Sequence, residues 1–171
     1  MNTVIVPVDF SETSLNAASY AAQLLTGHYG VTMVLYHSYT KADEGANAAE
    51  SLEKLKADLM EKNIVKMEVL VHEESDFVDG LEKAARHRKA DLVIMGITGK
   101  SAIAQVLFGS NTLKMAERKV CPVLIVPENA TFSPIKNVML TSDFKSTLNT
   151  TPSVPIKDFL NIFKPQLHIV N

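Results

Sequence analysis

The stretch Asp91-Leu92-Val93-Ile94-Met95-Gly96-Ile97-Thr98-Gly99-Lys100-Ser101, followed by Gly109-Ser110-Asn111-Thr112, sets three glycines at the spacing G-x2-G-x9-G-S. An apolar run that reads as a buried strand ends at Gly96, where a missing side chain lets the chain turn and lets a ligand approach the main chain. Gly99 can take a positive φ and turn amide N–H groups toward an anion. Gly109 and Ser110 stand at the start of a helix, whose first N–H groups have no partner within the helix and whose dipole presents partial positive charge. Together these residues describe a phosphate cradle. Ser110 adds a hydroxyl donor and Lys100 a mobile cation, with Ser101 and Thr112 as weaker candidates. A structural reading stays open, in which Gly96 ends a strand, Gly109 precedes a capped helix and Ser110 is its N-cap. Asp9, after the first apolar run, could simply bond the N–H groups of a helix beginning at Ser11.

Other chemistry is thin. Gly96 to Ser101 has only two residues between its glycines and is no P-loop, and neither G-x-S-x-G, H-E-x-x-H nor C-x-x-C occurs. His28, His37, His72, His87 and His168 form no compact ligand spacing, so a zinc site is not expected. Cys121, the one cysteine, reads as packing and can build no intrachain disulfide. Seventeen Lys and Arg against nineteen Asp and Glu give a formal charge of -2, which removes the broad basic field of a nucleic-acid binder. Apolar runs such as Val123 to Val126 are strand-sized, far short of the ~20 residues of a membrane span. With no cationic start and apolar h-region at the N-terminus, a reduced, cytoplasmic setting is expected.

The elements that must position this chemistry alternate. Short Val-, Ile- and Leu-rich runs at Val4 to Val8, Thr32 to Tyr36, Lys66 to Val71, Asp91 to Met95 and Pro122 to Val126 read as strands buried on both faces. Between them lie amphipathic stretches: a helix capped by Ser11 with Leu15, Ala18, Ala22 and Leu25 on one stripe, then Ala48 to Met60. A third, capped by Ser75, turns Phe77 and Leu81 inward, and a fourth begins at Ser110. This alternation predicts a three-layer α/β domain over residues 1–128, a Rossmann-like, doubly wound, five-stranded parallel sheet. In such sheets the ligand sits at the carboxyl ends of the strands where the winding reverses, commonly between strands one and four. The loops after Val8 and Met95 are therefore the places to look.

Residues 129–171 read as a linker and an incomplete repeat. Asn2 to Phe10 aligns with Lys136 to Phe144 at a constant offset of 134 residues, sharing Val, Asp and Phe, and Thr32 to Tyr36 aligns with Gln166 to Val170 at the same offset. The expectation is the β-α-β opening of a second copy, as in a tandem protein cut short; the alternative is an extension that docks on the first domain.

Gly96, Gly99, Gly109 and Ser110 resemble the glycine motif of ATP-binding members of the universal stress protein family. Val6-Pro7-Val8-Asp9-Phe10-Ser11, Tyr36-His37-Ser38 and Cys121-Pro122-Val123-Leu124-Ile125-Val126-Pro127 are similar to the family's first, second and fifth strand landmarks. The resemblance covers about residues 2 to 127 and implies the adenine nucleotide alpha hydrolase-like form of the fold. It implies that Asp9 contacts adenine or ribose, that the backbone at Pro7, Val8 and Ser38 borders the base, and that Gly99-Lys100 and Gly109-Ser110-Asn111 hold the phosphates of ATP, with Mg2+ or Mn2+ riding on them. It further implies a homodimer through antiparallel pairing of Val123 to Val126. The expected function is a regulatory module that holds ATP or another adenine nucleotide and signals occupancy to a downstream protein. A slow ATP hydrolase or nucleotidyl-transfer enzyme, and a non-nucleotide dimerising protein, are the alternatives.

Overall fold

The computed structural model describes residues 1–97, 111–142 and 152–170. They divide into two compact units, Asn2–Phe132 and Ser133–Asn171.

The first unit runs β1 (Thr3–Pro7), α1 (Glu12–Leu25), β2 (Thr32–Tyr39), α2 (Gly45–Lys62), β3 (Lys66–Glu73), α3 (Phe77–His87), β4 (Leu92–Ile97), α4 (Asn111–Glu117) and β5 (Val123–Pro127). All five strands are parallel, in the order β3-β2-β1-β4-β5, so the winding reverses between β1 and β4. Parallel strands flanked by helices must be apolar on both faces, and Val4, Ile5 and Val6 on the central strand are wholly buried. Helices α1 and α2 cover one face and α3 and α4 the other. The second face holds a core of Ile5, Val34, Tyr36, Leu81, Val93, Met95 and Met115. Cys121 packs at the margin of that core, and its burial there pushes the thiol up to about 11.

Two local departures from the sequence reading have physical causes. The cap of α3 is Asp76, one residue after the expected Ser75: its carboxylate accepts from Asp79 N at 2.9 Å, and an anion there also favours the positive end of the helix dipole. Strand β4 continues through Gly96 to Ile97. A Cβ on Gly96 would stand 2.6 Å from both the Cγ2 and the carbonyl oxygen of Thr13, so the missing side chain is what lets the first turn of α1 close onto β4.

The second unit is a β-α-β piece: β6 (Asn137–Thr141), α5 (Ser153–Phe163) and β7 (Gln166–Val170), with β6 and β7 parallel. Its register is that of β1 and β2 moved by 134 residues. Thr3 faces Thr32 and Asn137 faces Gln166, and so on through all five pairs. The flanking amides agree: Thr32 N donates to Asn2 O and Gln166 N to Lys136 O, both at 2.8 Å, while Val8 N donates to Tyr36 O and Ser142 N to Val170 O at 2.8 and 2.9 Å. Asp143 and Phe144, part of the aligned segment, lie outside the described residues.

Candidate functional site

A cleft of about 440 Å³ opens at the carboxyl ends of the strands of the first unit, within the size range of small-molecule sites. Of the residues expected to bind ligand, Pro7, Val8, Asp9, Ser38, Gly96 and Asn111 line it together. Gly99, Lys100, Gly109 and Ser110, with the weaker candidate Ser101, lie outside the described residues. Gly96 is on the wall, but its absent side chain points at Thr13, so close approach of a helix accounts for the glycine.

The loop from β1 to α1 is held by short polar contacts. Asp9 Oδ1 accepts from Ser11 N at 3.0 Å and from Ser11 Oγ at 2.6 Å, so the helix-capping alternative for Asp9 is realised in part. Ser11 Oγ in turn accepts from Ser14 N, as the N-cap of α1. Burial pushes the Asp9 carboxyl up, but the hydrogen bonds of Ser11 and Ser14 outweigh it and hold the group below the ordinary carboxylate range. Phe10 sits at φ 64°, in the left-handed region, with its ring 5.2 Å from that of His37. His37 Nδ1 lies 2.7 Å from Val8 O, which commits the imidazole to bracing this loop. On the far wall Thr112 Oγ1 donates to Gly96 O at 3.1 Å and ties the first turn of α4 to β4.

A match to the model of the universal stress protein family spans residues 1–127. The chain belongs to that family. A universal stress protein of Methanocaldococcus jannaschii is 29% identical over 138 residues, covering 72% of this chain and 80% of the relative. One from Thermus aquaticus is 26% identical over 134 residues, covering 72% and 97%. Among solved structures, a universal stress protein in complex with cAMP matches with a TM-score of 0.63 and 28% identity, over 75% of this chain and 98% of that one. The universal stress protein of Archaeoglobus fulgidus in complex with dAMP shares the fold at a TM-score of 0.56 and 22% identity, over 73% and 96%.

The universal stress protein cleft also recruits residues that were not expected to meet a ligand. Glu74 and Ser75 come from the β3–α3 turn, Phe77 from the first turn of α3, and Thr13 and Ser14 from α1. A usable signal existed: in a parallel sheet every strand delivers its carboxyl end to the same edge, so the turn after β3 belongs beside those after β1 and β4. Glu74 is paired with Lys83 at 2.6 Å, and that bond chiefly keeps its carboxyl below the ordinary range. Asp9 and Glu74 are thus the charged side chains among the described residues of the wall, which otherwise offers hydroxyls and apolar surface. No group of three or more His, Cys, Asp or Glu among the described residues could hold a metal ion. No helix among them is long and apolar enough to cross a membrane.

Proposed function

We propose that residues 1–128 form an adenine-nucleotide-binding regulatory module, with ATP as the intended ligand. The observation that carries this reading is the convergence of Pro7, Val8, Asp9, Ser38, Gly96 and Asn111 on one cleft at the winding reversal. It is supported by the 28% identity to a universal stress protein solved with cAMP. In this reading Asp9 and the main chain at Pro7, Val8 and Ser38 meet the nucleoside. Gly99-Lys100 and Gly109-Ser110-Asn111 meet the phosphates, since the described wall carries carboxylates, which repel phosphate at short range. Mg2+ or Mn2+ arrives on the phosphates as part of the ligand.

Two further proposals accompany this one. Residues 129–171 are a linker and the opening of a second copy of the domain, supported by the shared register at an offset of 134 residues. The edge strand β5, with Ile125 39% exposed, pairs with its counterpart in a homodimer that passes nucleotide occupancy to a downstream protein.

The test is ligand-dependent stability. ATP, ADP, AMP and cAMP are each added at about a hundred times their Kd, where a single site adds ~2.7 kcal/mol to unfolding. Absence of a thermal shift with all four overturns the reading. Gly109→Val tests the placement of the phosphates: loss of ATP affinity with an unchanged melting temperature is expected, and unchanged affinity refutes it.

A further inference from the structure

Among the described residues, four that are not glycine take a positive φ: Phe10, Lys89, Lys119 and Lys164. The three lysines stand at the carboxyl ends of α3, α4 and α5, where a left-handed residue ordinarily closes a helix. Phe10 has no such reason. At φ 64° it stands just before Ser11, the N-cap of α1, where a helix begins rather than ends. This region of backbone space suits glycine, and a bulky side chain held there is strained. Such strain persists only where the surroundings impose it, and it clusters at ligand clamps.

What the strained residue supplies is a contact. The Phe10 ring lies 5.2 Å from the His37 ring, tilted by 47°. His37 Nδ1 lies 2.7 Å from Val8 O, and because a carbonyl oxygen only accepts, that nitrogen donates. The β1–β2 ladder pairs end at Pro7 and Tyr36, and Val8 N donates to Tyr36 O at 2.8 Å just beyond them. The imidazole thus adds a side-chain bond past the end of the ladder, and the Phe10 ring packs on the imidazole. Val8 and Ser38, beside this bond on the two segments, line the cleft, whereas Phe10 and His37 do not. Glycine would take the same backbone without strain and offer the imidazole nothing to pack on.

Resting on the nucleotide-binding reading of the same cleft, we infer that Phe10 and His37 are positioning residues that set its affinity. Neither touches the ligand. Phe10 holds the imidazole, and the imidazole holds the main chain at Val8 in place before the ligand arrives. A wall ordered in advance leaves less to be ordered on binding, which raises affinity without a new contact. The strain that secures this order lowers the stability of the fold, so affinity and stability are set against each other at this residue.

The test measures Kd for ATP by calorimetry, and the melting temperature without ligand, on the full chain and its variants. Phe10→Ala and Phe10→Gly both remove the ring, and only glycine also removes the strain. Phe10→Gly is expected to melt above Phe10→Ala, yet both weaken ATP about three- to tenfold. Phe10→Tyr keeps the ring and the wild-type affinity. His37→Ala weakens ATP by a similar factor, and adding Phe10→Gly to it weakens ATP no further, because the ring acts only through the imidazole. Wild-type affinity in Phe10→Gly overturns the inference, since a merely structural ring moves melting alone. A Phe10→Tyr as weak as Phe10→Gly overturns it, as does a double variant weaker than His37→Ala by the full factor of Phe10→Gly. A Phe10→Ala that melts with or above Phe10→Gly does so too, because no strain is then held at that position. In all these cases the nucleotide reading stands. Wild type without measurable affinity for ATP refutes that reading, and the inference with it.

Discussion

The strand pairs β1–β2 and β6–β7 have one register and opposite surroundings. Ile5 and Leu35 are wholly buried, whereas the residues 134 positions on, Met139 and Ile169, are 67% and 56% exposed within the described residues. Pair geometry is therefore local: strand alternation, a helical crossover and a right-handed return suffice to set which residue faces which. A site is not local. The cleft exists in the first unit because β3, β4, α3 and α4 flank the central pair and bring the carboxyl ends of β1, β2, β3 and β4 to one edge.

The contrast breaks most plainly by truncating equivalent positions. Ile5→Ala removes a fully buried side chain from the core and is expected to cost about 2–5 kcal/mol in urea unfolding. Met139→Ala, at the equivalent place on an exposed strand face, should stay within about 0.5 kcal/mol. Similar losses at both would mean that the two faces are equally covered in solution. A smaller effect sharpens the role of Gly96. Its Cβ would fall 2.6 Å from the carbonyl oxygen of Thr13, which is main chain and cannot be trimmed by mutation. Gly96→Ala should thus cost about 1–3 kcal/mol, an overpacking penalty. Thr13→Ala should fail to rescue it, since only the Cγ2 contact is relieved. Rescue would show that the side chain alone fills the space.

Much of this arrangement was legible in the residues. Continuous runs such as Val4 to Val8 could only be strands covered on both sides, and their alternation with helical stripes implied a parallel sheet with β1 beside β4. That edge pointed to the loops after Val8 and Met95, whereas Ser38 and Asn111 were expected only from the resemblance to the universal stress proteins. Gly96 shows where legibility stops: a glycine that admits a ligand and one that admits a helix look alike, and only the position of Thr13 separates them. Ser75 and Asp76 are both good caps, and a choice between neighbours turns on backbone angles that side-chain preference does not set. Tyr36 sits in an apolar run and packs as core, and what encloses its hydroxyl, Gly80 on α3, depends on how that helix crosses the sheet.

The smallest effect concerns the loop after β1. After β1, Asp9 accepts from Ser11 N and Oγ, and Ser14 Oγ accepts from Asp9 N at 3.3 Å. At the offset of 134 the sequence keeps Asp143 but has Lys145 and Leu148 in place of the two serines, so no hydroxyl stands at either position. Because its partners hold Asp9 below the ordinary carboxylate value of 3.8, the unfolded chain takes up this proton before the native one does. The contribution to stability is therefore present in full above that value and is lost as pH falls through the lower native value. Asp9→Asn keeps an oxygen that accepts from Ser11 but has no charge to titrate. The wild type should melt above Asp9→Asn at pH 6 by no more than about 2 °C, because the group is largely exposed and screened. The gap should narrow steadily below pH 3.8. A gap that stays constant down to acid unfolding would mean that the Asp9 charge adds nothing to the loop, and that its place at the cleft rests on geometry alone.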